Sequence, residues 1–250
     1  MASSQIPFFL LIGQSNMAGR GNLSDLPESS RAPDDRILMF RNSWMTAAEP
    51  IHDPDDPVFS VKADRGGGVG PGMAFAQRLL GQFASVGLVM CARGGTGIEG
   101  WSPDAGAGLM REALRRKNEA VTAGGRFVGI VAAIGEGDTS SEEAAAAWQY
   151  RFRALIHGLR ESTAYPVVYS QIGAISDERR TRREHGYRAW ERLQEIQEET
   201  HIANSAMIRT ADLPLNADGL HLSTDGQIRA GKRFADAALN LLGQTGSTRE

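Results

Sequence analysis

The chain lacks several features that would assign it to a specialised class of protein. It has 1 cysteine, Cys91, among 250 residues, so no disulfide bond can form within it. A single cysteine fits a reducing compartment. Because Cys91 stands alone and no two histidines lie four positions apart, we expect no structural zinc and no other metal. Cys91 ends an apolar run, which indicates a small buried side chain rather than a nucleophile.

Excess charge and long apolar runs are also missing. The formal net charge of −3 gives no reason to expect nucleic acid or an anionic membrane surface as a partner. No apolar run approaches the roughly 18 residues that a membrane-spanning helix needs. Residues 1–12 have no basic segment and contain Pro7, and no small-residue cleavage site precedes Gln14, so they do not predict a signal peptide. We therefore expect a cytoplasmic protein without a nucleic-acid or membrane partner.

Apolar runs alternate with segments of helical periodicity along the chain. Strands are predicted at residues 8–12, 86–91, 127–134, 166–172 and 206–209. This alternation predicts an α/β protein in which a parallel sheet of five strands is covered by helices on both faces. The sequence has no internal repeat and no linker, so residues 1–250 are predicted to form a single domain.

Two segments fall outside this regular pattern. Residues 20–71 are rich in proline, glycine and aspartate, and they predict a long loop region with one short strand at 37–40. Loops of this length inside compact domains are usually functional. Residues 243–250 are polar and predict a frayed tail.

The first predicted strand ends just before a serine, Ser15, which follows Gly13 and Gln14. Ligands of open α/β sheets bind at the carboxyl ends of the strands, where the Ser15 hydroxyl is expected. A hydroxyl in that place is a candidate nucleophile if a base can reach it. The alternative is that Ser15 merely caps the following helix, since serine is a preferred N-cap residue.

One histidine is placed to act as that base. His221 follows the last predicted strand and precedes the final helix, so we expect it at the same edge of the sheet as Ser15. Asp218 can fold back across Gly219 and accept a hydrogen bond from His221 Nδ1, which leaves Nε2 to face the serine. The alternative is an Asx-type turn with an incidental histidine. Surface or structural roles suffice for the other histidines, which are His52, His157, His185 and His201.

A glycine-rich segment, residues 94–97, follows the second of the five predicted strands. Its backbone amides can stabilise an oxyanion at the same edge of the sheet. Residues 95–100 also spell G-x-G-x-x-G, but a dinucleotide site needs a helix to open there. Trp101-Ser102-Pro103-Asp104 follows instead and favours a loop, so we expect no cofactor.

Taken in order, these motifs resemble the SGNH hydrolase superfamily, and more narrowly its sialate O-acetylesterase and carbohydrate esterase family 6 branch. The resemblance covers nearly the whole chain. It implies a flavodoxin-like three-layer α/β/α sandwich and metal-independent removal of O-acetyl groups from carbohydrates. The matching motifs are Gly13-Gln14-Ser15-Asn16-Met17, Gly68-Val69-Gly70-Pro71-Gly72-Met73, Gly94-Gly95-Thr96 with Trp101, and Asp218 with His221.

The resemblance implies a Ser-His-Asp triad. Ser15 is expected to be the nucleophile, His221 the general base and acid, and Asp218 the carboxylate that orients the imidazole. The oxyanion donors are expected to be the amide of Ser15 and an amide of Gly94 or Gly95, and the sequence leaves open which glycine it is.

Three further residues are expected at the substrate site, namely Gln14, Asn16 and Trp101. Gln14 and Asn16 flank the serine. Trp101 lies beside the oxyanion segment, where its ring either stacks on a sugar or packs under the loop.

One position departs from the family pattern. The third block of the family usually reads Gln-Gly-Glu, whereas this chain has Ile134-Gly135-Glu136. The resemblance implies that this glutamine donates a hydrogen bond to the oxyanion. Isoleucine has no side-chain donor, and loss of one oxyanion donor typically costs about 10²–10³ in turnover. Glu136 is expected to be structural and to form a hydrogen bond near the nucleophile loop.

The predicted function is that of a serine esterase that removes O-acetyl groups from sugars, of the acetylxylan or sialate type, through an acyl-enzyme. A second hypothesis is a catalytically weakened or inactive carbohydrate-binding protein on the same scaffold, motivated by Ile134. A third keeps the chemistry but changes the substrate to a lipid or thioester. Residues 20–71 disfavour a lipid because they contain no sustained apolar lid.

Overall fold

The computed structural model describes residues 5–60, 67–106, 108–161, 164–181 and 186–246. Its centre is a seven-stranded sheet with the order β3-β2-β4-β1-β5-β6-β7. Neighbouring strands are parallel except for β3, which runs antiparallel to β2 at one edge. The strands are β1 (Ile6–Gly13), β2 (Ile37–Phe40), β3 (Trp44–Thr46), β4 (Val86–Ala92), β5 (Gly125–Ala133), β6 (Val167–Ser170) and β7 (Ser205–Ile208).

Helices follow most of the strands, as the alternating pattern predicts. They are α1 (Ser15–Ala18), α2 (Gly72–Leu79), α3 (Leu109–Thr122), α4 (Glu142–Arg160), α5 (Asp177–Thr181), α6 (Trp190–Glu198) and α7 (Thr224–Gly246). No helix within the described residues is long and apolar enough to cross a membrane.

The central strand β1 shows how the layers form. Phe8, Leu10 and Ile12 point to one face of the sheet, while Phe9 and Leu11 point to the other, and all of them are buried. Burying each of these side chains contributes roughly 1.5–3 kcal/mol. The first face packs against α3, α4 and α6, and the second packs against α2 and α7. The predicted three-layer α/β/α architecture is therefore confirmed.

The predicted number of strands was wrong, since the sheet has seven strands rather than five. The short strand predicted at 37–40 joins the sheet beside β4, and β3 adds an edge that was not predicted. β3 is only three residues long and none of its side chains is buried, so its sequence carries no alternating apolar signal. Asn42, at φ 63°, makes the turn that brings β3 back onto β2.

The two irregular segments also differ in part from the prediction. Helix α7 continues to Gly246, so the prediction of a frayed tail over residues 243–250 is wrong for residues 243–246. Residues 247–250 lie outside the described part of the chain. The predicted loop region 20–71 contains β2, β3 and two short 3-10 turns, at Leu23–Asp25 and Glu28–Ser30. Residues 61–66 of that region lie outside the described residues.

The carboxyl ends of β1, β4 and β5 meet at one place. The Arg93 amide, just after β4, donates to the Gly13 carbonyl at 2.9 Å. The Gln14 amide donates to the carbonyl of Ala133, the last residue of β5, at 3.1 Å. These bonds bring the segments that follow the three strands together around Ser15.

Candidate active site

Ser15 occupies the sharp turn between β1 and α1. A side chain at Gly13 would overlap the carbonyl oxygen of Ala133, so only glycine lets the chain leave the strand so close to β5. Ser15 is the first residue of α1 and is 8% exposed. The turn therefore sets the serine hydroxyl at the edge of the sheet with little freedom to move.

The structure brings His221 to this hydroxyl. His221 lies in the segment between β7 and α7, and its Nε2 is 2.9 Å from Ser15 Oγ, across 206 positions of sequence. This is hydrogen-bond distance for proton transfer between the two groups.

Asp218 holds the other side of the imidazole. Its Oδ2 lies 2.5 Å from His221 Nδ1, and its Oδ1 accepts hydrogen bonds from the amides of Leu220 and His221, each at 3.0 Å. Partial burial raises the pKa of Asp218, but the hydrogen bonds from the His221 ring and from the two amides outweigh burial and lower the pKa overall. Asp218 is therefore ionised at neutral pH and favours the tautomer in which Nδ1 carries the proton.

The turn that carries the histidine is tied down at its base. Gly219 takes a left-handed φ of 71°, and a side chain there would overlap the Ser176 hydroxyl. The backbone amide of Asn216 donates to the His221 carbonyl at 2.7 Å, and Asn216 Nδ2 donates to the Arg20 carbonyl at 2.8 Å. The segment is thus attached to the loop that follows the nucleophile.

Asn16 makes a second connection between the two segments. Its Oδ1 accepts a hydrogen bond from the Leu222 amide at 3.0 Å, and its Nδ2 donates to Glu136 Oε1 at 2.6 Å. Glu136 is buried, and burial raises the pKa of its carboxyl despite the hydrogen bond from Asn16. Asn16 therefore joins the serine turn, the residue after His221 and the segment after β5.

Gln14 is directed into the protein. Its side chain is 3% exposed, and its Oε1 accepts a hydrogen bond from the Gly135 amide at 3.3 Å. This contact holds the serine turn against the segment after β5. The expected role of Gln14 in binding substrate therefore finds no support in its position.

The glycine-rich segment after β4 keeps its amides available. Gly95 is exposed, with φ 72° and open space where a side chain would stand. In the described part of the chain, the amides of Ser15, Gly94 and Gly95 donate to no other residue. The residues 98–101 that follow form one 3-10 turn rather than the helix of a dinucleotide site.

Asp138 binds the backbone of this segment. Both of its carboxylate oxygens accept from the Ile98 amide, at 2.9 and 3.0 Å. Burial raises the pKa of Asp138 to about 7, with the negative charge of Glu136 adding to the effect and the Ile98 hydrogen bond opposing it. A side chain at Gly97 would overlap the Asp138 carboxylate, so the two segments pack in direct contact.

Trp101 does not offer a surface to a sugar. Its side chain is 0% exposed and its ring stacks on Phe59, with ring centroids 6.0 Å apart. The stacking interpretation is therefore wrong, because the indole packs under the loop as part of the core. The alternative interpretation, packing under the loop, is correct.

Ile134 is likewise a core residue. It is 2% exposed and packs on the face of the sheet that α3, α4 and α6 cover. Its carbonyl accepts a hydrogen bond from Gln197 Nε2 at 3.2 Å. The position at which the family has glutamine is thus filled by an apolar side chain directed into the core.

Among the described residues, none of the other histidines contacts Ser15. His52 is buried in the loop region, while His157 and His201 are exposed. His185 lies outside the described residues. Within the part of the chain that the structure describes, no group of three or more His, Cys, Asp or Glu side chains is arranged to hold a metal ion.

Sequence reasoning missed the anchoring residues. Asn216 and the bridging role of Asn16 were not predicted, although both lie within two residues of a triad position. A polar side chain flanking a predicted triad residue is the available signal, but a sequence alone does not show which segment such a side chain contacts.

Comparisons with known proteins identify the family of this chain and related folds. A family model described as "Carbohydrate esterase, sialic acid-specific acetylesterase" matches residues 5–240. A probable carbohydrate esterase from Arabidopsis thaliana is 32% identical over an alignment of 251 positions, gaps included. The alignment covers 93% of this chain and 90% of that protein. An X-ray structure of an A. thaliana protein has a TM-score of 0.79 at 29% identity, covering 94% of this chain and 98% of the other. A carbohydrate acetylesterase from Xanthomonas citri shares the fold, with a TM-score of 0.65 at 19% identity over 95% of this chain and 56% of that one.

Proposed function

Since this chain belongs to the family of carbohydrate esterases described as sialic acid-specific acetylesterases, and is therefore a carboxylic ester hydrolase, we propose that it removes O-acetyl groups from sugars with Ser15 as nucleophile. The observation that carries the proposal is the chain of contacts from Asp218 through His221 to Ser15. Capping of α1 does not require a histidine at the serine hydroxyl, nor a carboxylate behind that histidine.

The first half of the reaction forms an acetyl-enzyme. Ser15 Oγ attacks the acetyl carbonyl carbon while its proton passes to His221 Nε2. Asp218 holds the Nδ1–H and stabilises the imidazolium that results. The tetrahedral intermediate collapses, the bond from carbon to the sugar oxygen breaks, and His221 returns the proton to that oxygen. The deacetylated sugar then leaves.

The second half releases acetate by the same route. A water molecule attacks the acetyl carbon while His221 takes its proton, and the bond to Ser15 Oγ breaks as the proton returns to the serine. No other residue need change its protonation state.

Backbone amides stabilise the oxyanion in both halves. The Ser15 amide and an amide of the 94–95 segment are the donors that the geometry supports, since neither forms another hydrogen bond within the described residues. The apolar side chain of Ile134 supplies no donor.

The family match supports a carbohydrate ester as the substrate. We infer acetylated carbohydrates of the acetylxylan or sialate type. Acetate release from acetylated xylan fragments, O-acetylated sialic acid and 4-nitrophenyl acetate distinguishes a preference for one sugar from general esterase activity.

Substitution of the serine tests the proposal. Ser15→Ala is expected to lower kcat by about 10⁴–10⁶, because triad residues act as one unit. Ser205→Ala is the matched control. Ser205 lies at the start of β7, at the end of the strands opposite to Ser15, and its hydroxyl donates a hydrogen bond to the Ile202 carbonyl. An unchanged rate in Ser15→Ala would remove the nucleophile assignment. Sugar binding without acetate release by the unmodified protein would favour the binding-protein hypothesis instead.

A further inference from the structure

Gln227 is a buried polar residue to which the reaction described above assigns no role. It lies in the first turn of α7 and is 0% exposed. Neither its Nε2 nor its Oε1 has a hydrogen-bond partner among the described residues. A buried amide without partners costs roughly 1–3 kcal/mol, and in native proteins an ordered water commonly satisfies such a group.

The Gln227 side chain lines a small cavity of about 20 Å³. Pro71, Ala133, Ala230 and Phe234 form an apolar part of its wall. The polar residues that reach it are Asn16, Glu136, Ser170, Gln171, Thr210 and Gln227. Ser15 is not part of the wall, so the cavity is distinct from the space at the reacting hydroxyl.

The size and the lining of this cavity select its occupant. A polar cavity needs roughly 10–15 Å³ to hold one water, and a buried water typically makes about three hydrogen bonds. A cavity of about 20 Å³ meets this requirement, and the polar residues of its wall offer hydrogen bonds to one water.

Glu136 connects this cavity to the reacting groups. Glu136 lines the cavity, and its Oε1 accepts the hydrogen bond from Asn16 Nδ2. Asn16 in turn accepts from the Leu222 amide, one residue after His221. A group in the cavity that binds Glu136 therefore acts, through Asn16, on the segment that carries His221.

We propose that this cavity binds one water molecule, which hydrogen-bonds to the Gln227 amide and to the Glu136 carboxyl and makes Gln227 a positioning residue for the His221 segment. The role in positioning rests on the proposed function, whereas the water site itself does not. The water completes a chain of hydrogen bonds from α7 through Glu136 and Asn16 to the Leu222 amide.

A crystal structure of the protein tests the water site directly. We expect an ordered water within about 2.7–3.2 Å of both the Gln227 amide and a Glu136 oxygen. A Gln227 amide bonded directly to protein groups, with no water between it and Glu136, would overturn the site.

The variant Gln227→Met tests the role in positioning, because methionine fills a similar volume without an amide. We expect kcat to fall about tenfold with KM within about twofold, since the change disturbs alignment of the histidine rather than substrate binding. Phe234→Leu is the matched control, because it alters the apolar wall of the same cavity. This control is expected to lower Tm while leaving kcat within about twofold.

The outcomes separate this inference from the proposed function. An unchanged kcat in a folded Gln227→Met protein would overturn the positioning role even if Ser15→Ala is inactive. Conversely, a crystal structure of Ser15→Ala should retain the water, so an active Ser15→Ala variant with the water present would refute the nucleophile and leave the water site standing. If Gln227→Met does not fold, the structure of the unmodified protein still decides whether the water is there.

Discussion

The two halves of the proposed site are built in different ways. The proton-transfer half, made of Ser15, His221 and Asp218, is linked by side-chain contacts of 2.5 and 2.9 Å between residues far apart in sequence. The proposed oxyanion half, made of the Ser15 amide and the 94–95 segment, offers backbone amides, and Ile134 supplies no side-chain donor. The first half depends on which residues are present, whereas the second depends on the path of the backbone.

This difference has a consequence for mutational sensitivity. A substitution in the proton-transfer half removes a reacting or orienting group, while a substitution in the oxyanion half acts only through the shape of the segment. We therefore expect large effects on turnover from the first half and effects mainly on stability from the second.

Apart from the loss of the nucleophile in Ser15→Ala, the largest effect is expected for Asp218→Asn. An asparagine NH₂ in place of Oδ2 would face His221 Nδ1 and favour the tautomer with the proton on Nε2, which cannot accept the serine proton. The corresponding change in a serine protease lowers kcat by about 10⁴, and we expect a similar loss here. Steady-state kinetics measure it. Asp225→Asn, an exposed acid paired with Arg229 on α7, is the control and should keep its activity. A loss below about tenfold would contradict an orienting role for Asp218.

An intermediate effect is expected for Ile134→Gln, which restores the residue typical of the family. Because the side chain lies in the core, the new amide would be buried without partners at a cost of roughly 1–3 kcal/mol. We expect Tm to fall by several degrees and kcat to stay within about threefold. Thermal unfolding and kinetics measure both, with Ile134→Leu as an apolar control. A tenfold rise in kcat would show instead that this position reaches the oxyanion.

The smallest effect on turnover is expected for Asp138→Asn, which instead changes how the stability of the protein depends on pH. The folded-state pKa of Asp138, about 7, lies above its usual value, so the folded protein binds this proton more tightly than the unfolded chain. The resulting stabilisation is fully present below about pH 4 and is lost as pH rises through 7. Asparagine keeps an acceptor for the Ile98 amide and carries no charge, so it avoids this loss. The stability of the variant relative to the unmodified protein should therefore be greater at about pH 8 than at about pH 5.

Unfolding temperatures at these two pH values measure the gain. Asp177→Asn, an exposed acid in the first turn of α5, is the control and should follow the unmodified protein. A Tm difference between Asp138→Asn and the unmodified protein that does not grow with pH would contradict a raised pKa at Asp138.

The two halves also differ in how far the sequence predicted them. Ser15 and His221 were identified because each follows a predicted strand, and parallel strands bring their carboxyl ends to one edge. Asp218 was identified because a residue three positions before a histidine, with Gly219 between them, can turn back onto the ring. These inferences needed only the local sequence pattern and the rule that ligands bind at the carboxyl ends of parallel strands.

Trp101 and Ile134 show where this reasoning stops. Trp101 stacks on Phe59, which belongs to a segment before β4, and no local pattern shows that contact. Ile134 was recognised as a departure from the family, but its packing among the helices of one face depends on the whole core. β3 was missed for a related reason, because a three-residue edge strand is fixed by its partner rather than by its own periodicity.

Labelling with a fluorophosphonate tests the central claim most directly, because this reagent reacts with an activated serine and spares an ordinary hydroxyl. Mass spectrometry of the digested protein should find one adduct per chain, on the peptide that contains Ser15, and His221→Ala should abolish the adduct. An adduct on a different serine, or none on a folded protein, would contradict the claim that His221 activates Ser15 as the nucleophile.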